Sequence, residues 1–397
     1  MKAQQRKATE NKKTFPNFIL LLLCSLLGAF FISMIATGNV HIVIVQFSNH
    51  EASQTEGDDL FNYFPIQVHT NDEDYPQTAT LSSNSRSHNI IPALFQTTNG
   101  DNWNIITFPT EFNFTEVELN VRWANFTSTT NVTRPMAIHP HFDYISRAIN
   151  RGHHWVDCDV LPGLWNEYYD DTKEDDTQQH DPSNHPEKHK VYVEIGANIG
   201  SCVMEMLLST NAFIVAFEPH PKNRVCLLQT ISKLEPKYQE RIIIVPIALG
   251  DKQESSTIYS ASNNMGNSVV GQVIKDYDAQ KFEEKSQFTI QIERLDSIFH
   301  PNIKNTIDIP LLKLDAQGYE CRILEGMSHN PSIAKTIQQV KFEYAQKWIQ
   351  GQNCSDLFPR LRDFGFDIYR GTTIVKDDES IKAQLVDLIA RQSGEDG

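Results

Sequence analysis

From residue 191 onward, apolar runs of about five residues alternate with helix-length segments, and polar, turn-rich stretches separate them. The runs predict strands at 191–195, 213–217, 241–246, 287–292, 309–314, 338–343 and 366–370. Helices are predicted at 199–209, 222–233, 319–327 and 355–364. Strands that are apolar throughout and alternate with helices imply a mostly parallel, seven-stranded sheet covered on both faces, a doubly wound α/β domain over 188–397. Open sheets of this kind bind ligands beyond the carboxyl ends of their strands, so the residues that end the runs carry the chemistry.

The first half of the chain has another pattern. Residues 1–17 carry Lys2, Arg6, Lys7, Lys12 and Lys13 against Glu10 and lead into twenty uncharged residues, Phe18 to Thr37. About 20 such residues cross ~30 Å of hydrocarbon as a helix, and the basic flank keeps the N-terminus cytosolic. The expectation is a type II membrane protein with a cytosolic tail over 1–17, a transmembrane signal anchor over 18–38, and the remainder lumenal in the endoplasmic reticulum or Golgi. A cleaved signal peptide is the rival reading, and the length of the apolar run disfavours it. Residues from about 48 to 100 are rich in Ser, Thr, Asn, Gln and Asp, and the stretch 39–100 reads as a flexible stem. Aromatic residues return over 101–187, which is expected to pack on the main domain. That region ends in a charged loop, Glu167 to Lys190, whose His180, His185 and His189 are expected to be solvated without binding a metal.

The net charge of −15 excludes a general affinity for nucleic acid, which needs a basic face. Asn113, Asn125, Asn131 and Asn353 begin Asn-x-Ser/Thr acceptors that all follow the expected anchor. The six cysteines include no CxxC pair. Five of them lie in the expected lumenal part, so at least one is unpaired, and Cys202 and Cys226 are expected to be small buried hydrophobes.

The first strand breaks into Glu194-Ile-Gly196-Ala197-Asn198-Ile-Gly200. Glycines there permit close approach of backbone or helix, and free N–H groups open the next helix. The spacing is GxxxG where a dinucleotide site has GxGxxG, and Glu194 would repel a pyrophosphate. An NAD-dependent oxidoreductase is therefore disfavoured, and a ligand with an amino group or a sulfonium is favoured. The second strand ends at Glu218, followed by Pro219-His220-Pro221, where a carboxylate is placed to accept hydrogen bonds from a ribose diol.

Three motifs in order, VEIGANIG at 193–200, AFEPHP at 216–221 and LLKLDAQGYECRILEGM at 311–327, resemble the FkbM-type family of S-adenosylmethionine-dependent methyltransferases over roughly 190–370. The family's Asp-x-Glu-Gly-x-Glu becomes Asp315-Ala-Gln317-Gly318-Tyr-Glu320, with Gln317 in place of the first Glu. The resemblance implies a class I methyltransferase fold, S-adenosylmethionine as donor, and O-methylation of a sugar or other hydroxyl. The residues expected to hold the donor are Glu194, Gly196, Ala197, Asn198, Gly200, Glu218 and Asp315, and Asp315 is the expected catalytic carboxylate.

Methyl transfer needs alignment and removal of one proton, so few catalytic groups are required. Asp315 fits that need, or pairs structurally with Lys313, two residues earlier on the same face. Glu320 reads equally as a helix N-terminal acid. Glu343, ending the 338–343 strand, can pair with Asp315 around a divalent ion, although no metal is predicted. Asn263 to Ser268 either lines the acceptor or covers the donor, or is a surface loop. His139 and His141 are expected to be structural. A lumenal protein that keeps the fold without catalysis is the other alternative, and the oligomeric state and the acceptor are not encoded in these motifs.

Overall fold

The computed structural model describes residues 20–22, 29–36, 39–46, 90, 93–95, 105–108, 120–140, 143–168, 188–261, 264–271, 282–344, 354, 356–376, 381 and 386–393. The chain divides into two units, Met1–Thr80 and Leu81–Gly397.

In the first unit β1 (Leu20–Leu22), β2 (Ala29–Ala36) and β3 (Asn39–Gln46) form an antiparallel sheet. The helix expected over 18–38 is not supported, and no helix among the described residues is long and apolar enough to cross a membrane. An apolar run has no periodicity to separate helix from strand. Ile32, Ile35, Val40, Ile42, Val43, Ile44 and Val45 are β-branched and suit a pleated surface.

The second unit begins earlier than the expected stem boundary at residue 100, because Ile90, Leu94 and Phe95 are buried in its core. β4 (Ile106–Thr107) pairs antiparallel with β9 (Ile242–Val245). The accessory region then forms the hairpin β5 (Arg122–Thr127) and β6 (Thr133–Ile138), followed by α1 (Tyr144–Asn150), α2 (Val156–Asp159) and α3 (Leu161–Glu167). Asn125 and Asn131 are exposed on this hairpin. Asn113, Asn353, His141, His180 and His185 lie outside the described residues.

The main domain runs β7 (His189–Ile195), α4 (Ser201–Ser209), β8 (Phe213–Phe217), α5 (Pro221–Ser232), α6 (Pro236–Gln239) and β9. It continues through β10 (Ala248–Leu249), β11 (Glu254–Ala261), β12 (Asn264–Val270), β13 (Phe282–Glu293) and α7 (Leu295–Ile298). β14 (Ile307–Leu314), α8 (Glu320–Met327), α9 (Pro331–Ala334) and β15 (Gln339–Tyr344) follow. α10 (Leu357–Asp363), β16 (Phe366–Arg370), β17 (Thr373–Ile374) and β18 (Val386–Gln392) complete it.

The sheet order is β17-β16-β18-β15-β14-β7-β8-β9-β4. β9, β8, β7, β14 and β15 are mutually parallel, and β18 lies antiparallel between β15 and β16. That is the expected class I methyltransferase arrangement, with one correction. The predicted strand at 287–292 belongs to a separate four-stranded sheet, β10-β13-β11-β12, and β18 takes the seventh place in the main one. In β13, Gln287 and Gln291 are exposed while Ile290 and Ile292 are buried, the alternation of a half-exposed antiparallel strand. β8 is buried along its whole length, as the centre of a doubly covered sheet requires. Val191, Val193 and Ile195 face one core and Tyr192 the other, so successive residues of β7 serve opposite faces.

Two disulfides, Cys158–Cys202 and Cys321–Cys354, cross the second unit. Cys226 is free and buried as expected, whereas Cys202 is bonded and not merely packed.

Candidate active site

The loop after β7 turns through two glycines in left-handed backbone, Gly196 at φ 85° and Gly200 at φ 92°, with Asn198 at φ 55° between them. A Cβ on Gly196 would stand 1.9 Å from the Asp315 carbonyl oxygen. Its glycine lets the turns after β7 and β14 touch. A Cβ on Gly200 would meet Leu227 Cδ1 at 2.4 Å, so this glycine lets α4 approach α5. Ala197 is buried, and its N–H donates to the Phe217 carbonyl at 3.0 Å.

A cavity of about 590 Å³ opens where these turns meet, at the carboxyl ends of β7, β8 and β14. Four of the seven expected donor residues, Gly196, Asn198, Glu218 and Asp315, line it. Glu194, Ala197 and Gly200 are not among its lining residues; for Glu194 the reason is the alternation of β7, which turns Ile195 toward the cavity and Glu194 toward the opposite face. Apolar lining comes from Ile247, just before β10, and from Leu249, Ile258 and Val270 of the second sheet. Gly266 and Ser268 of the expected polar segment also line it, so that segment belongs to the site.

Glu218 is fixed from three sides. Its Oε2 accepts from the Asn198 N–H at 2.6 Å, and its Oε1 accepts from the His220 N–H at 2.8 Å and from Asn223 Nδ2 at 3.4 Å. Burial raises its carboxyl above the ordinary range, and the two backbone N–H groups oppose that rise. Asn223 in turn accepts from His139 Nε2 at 2.8 Å, and Asp143 Oδ2 lies 3.7 Å from the same nitrogen. Because an amide oxygen only accepts, Nε2 carries the imidazole proton. The accessory hairpin and α1 thus support the carboxylate from beneath. Asn223, on the first turn of α5, and Asp143 had no motif to announce them, and His139, expected to be structural, acts through Asn223.

On the face opposite Ile195, Glu194, Lys313 and Lys341 are register partners across β7, β14 and β15. Glu194 accepts from the Tyr192 hydroxyl at 3.2 Å and lies 3.9 Å from Lys313 Nζ. Burial pushes its carboxyl up to about 7, against the pull of Lys313 and Tyr192. Lys313 Nζ donates to Asp315 Oδ2 at 3.0 Å. Burial opposes charge on Asp315, but Lys313 and the Gln317 amide overcome it and hold the carboxyl below its ordinary value. The Asp315–Lys313 pair and a catalytic Asp315 are therefore compatible.

A second cleft, too tight to hold a water molecule, shares Asp315 and adds Asp157, Lys341, Glu343 and Asp387. Lys341 Nζ donates to Asp387 Oδ1 at 2.7 Å. Burial, together with Asp315 and Asp157, lifts Glu343 to about 9. Burial and Asp387 lift Asp157 to about 6. Asp157 comes from α2, where nothing in the local sequence marked it. Glu320 closes the turn after β14, accepting from the N–H groups of Ala316 at 2.9 Å and Gly318 at 3.3 Å, which settles it as a helix-start acid.

Residues 194–368 match the model of the methyltransferase FkbM domain. No curated protein matches the chain. Similar solved structures include a precorrin-6y C5,15-methyltransferase from Geobacter metallireducens, 10% identical, covering 52% of this chain and 81% of that one with a TM-score of 0.27. A SAM-dependent O-methyltransferase from Thermotoga maritima is 8% identical and covers 68% of this chain and 92% of that one, with a TM-score of 0.25. A putative transferase from Pyrococcus horikoshii is 9% identical over 68% and 72% of the respective chains, with a TM-score of 0.26.

Proposed function

We propose that the FkbM-type methyltransferase domain formed by residues 194–368 transfers a methyl group from S-adenosylmethionine to a hydroxyl, on a sugar or glycan of the secretory pathway. The observation that carries this reading is the cavity at the carboxyl ends of β7, β8 and β14, where Glu218 and Asp315 face an apolar lining.

The residues of the larger cavity fit that donor. Apolar side chains suit a purine, and Glu218 Oε2, which takes the Asn198 N–H on one side, has a second lone-pair direction for a ribose hydroxyl. Glu218 and Asp315 disfavour phosphate and favour a cationic ligand. The donor would supply a methyl group already activated by its sulfonium. Asp315, held ionised by Lys313, orients the acceptor hydroxyl and receives its hydrogen bond. Glu343, protonated at neutral pH, can donate to a second acceptor oxygen, and Asp157 and Asp387 can accept from further hydroxyls.

The two disulfides and the exposed Asn125 and Asn131 support a location in an oxidising, glycosylating compartment. Calorimetry of the full chain with S-adenosylmethionine tests the donor, with Glu218→Ala as the comparison. Heat from the intact protein that is lost in the variant supports the reading. No heat from the intact protein overturns it, and a labelled-methyl screen of glycans then addresses the acceptor.

A further inference from the structure

Outside both clefts, α2 and α4 bring together three ligand-type side chains. His154 Nδ1 and Asp159 Oδ1 are 3.2 Å apart, and one ligand atom from each of His154, Asp159 and Glu205 lies within 4.8 Å of the other two. Glu205 is 1% exposed. Its carboxylate is satisfied only by neutral donors. Oε1 accepts from Thr129 N–H at 3.1 Å, Thr129 Oγ1 at 2.5 Å and Ser209 Oγ at 2.6 Å, while Oε2 receives a single contact from Thr129 N–H at 3.2 Å. No lysine or arginine pairs with it among the described residues. A buried carboxylate without a cation is costly, and a metal ion is one way to complete it.

We propose that His154, Asp159 and Glu205 form a divalent-metal site of the zinc type that fastens α2 to α4. Zinc bonds of roughly 2.0–2.1 Å in a tetrahedron set ligand atoms about 3.4 Å apart. The His154–Asp159 separation already matches that edge, and the Glu205 carboxylate oxygen nearest the pair has at most about 1.4 Å to close. Both His154 and Asp159 are about one-third exposed, at 34% and 37%, which leaves water free to fill a fourth position. An imidazole beside two carboxylates selects zinc and its transition-metal neighbours over calcium or magnesium. The other cluster of such side chains among the described residues, Cys321, Cys354 and Asp356, has both sulfurs tied in a disulfide and offers no thiolate.

The backbone already holds this geometry. Cys158 adjoins Asp159, and Cys202 stands three residues before Glu205, on the same face of α4. The Cys158–Cys202 bond, with Cα atoms 4.8 Å apart, therefore fixes the two ligand-bearing segments against each other. An ion here would also steady Asp157, which reaches the cleft from the same short helix. The site is independent of the methyl-transfer reading.

The test is zinc titration of the chelator-stripped full chain against a chromophoric competitor, beside His154→Ala and Asp159→Asn. Both positions are partly exposed, and circular dichroism of the zinc-free proteins checks that the variants fold. The expected result is one more tightly held equivalent in the wild type than in either variant, with affinity at that equivalent falling at least tenfold. Cobalt substitution should give visible absorption in the wild type alone. Equal stoichiometry and affinity in all three proteins, including binding carried by other histidines, would overturn the proposal. So would a cobalt spectrum unchanged in the variants.

Discussion

Gln317 donates from Nε2 to Asp315 Oδ1 at 2.7 Å, and the same nitrogen reaches Glu343 Oε2 at 3.4 Å. The side chain that departs from the family's acidic pattern thus bridges two carboxylates that would otherwise face each other bare. Gln317→Glu replaces that donor with a further carboxyl group beside ionised Asp315 and protonated Glu343. The expected outcome is a Tm several degrees lower at pH 8, a deficit that shrinks toward pH 5 as carboxyls protonate, and partial recovery with millimolar manganese. Differential scanning fluorimetry reads all three.

Asn223 links Glu218 to His139, so Asn223→Leu removes one hydrogen bond from the carboxylate and takes away the oxygen that accepts from the buried imidazole N–H at 2.8 Å. A stability loss of about 1–3 kcal/mol is expected. Affinity for S-adenosylmethionine should fall about tenfold, with a smaller effect on the maximal rate. Calorimetry and denaturant unfolding separate the two effects.

Glu343 carries the pH signature of the acidic cleft. Its carboxyl moves from 4.5 in a free chain to about 9 in the fold, so between those values the native state holds more protons than the unfolded chain. Stability from this group is present below the lower value and is lost as pH rises through the upper one. Glu343→Gln should match the wild type near pH 5 and exceed it near pH 9, measured as Tm against pH.

Gly196→Ala sets a methyl group against the Asp315 carbonyl at a positive φ, and Gly152→Ala provides the control. Gly152 also has a positive φ, 75°, but nothing lies within 4 Å of its would-be Cβ. The control should cost about 1 kcal/mol from backbone strain alone. The Gly196 variant should lose at least about 2 kcal/mol, since two backbone turns must separate. Chemical denaturation of both variants gives the difference.

The main sheet was legible because its strands are apolar on both faces. The run at 213–217 and the one at 366–370 match β8 and β16 to the residue. β18, VDLIARQ, was missed because Asp387 and Arg391 break its apolar pattern, and their partners Lys341 and Glu167 are far away in sequence. Within the site, carboxylates that end strands were readable, but facing was not. Glu194 ends an apolar run as Glu218 does, yet β7 continues one residue further and sends Glu194 to the opposite side. Asp157, delivered from elsewhere, left no local trace, and the HxH pair at His139 gave no sign of the contact through Asn223, since both roles arise only from tertiary contact.

The hydrogen-bond chain from His139 through Asn223 to Glu218 makes the matched domain less portable than its motifs suggest. The segment 194–368 contains every recognised signature, but the carboxylate at its heart is oriented by a histidine recruited from outside it. Grafting that segment onto another leader, or exchanging it between relatives, would conserve the alphabet of the site and lose its grammar unless the hairpin travelled with it.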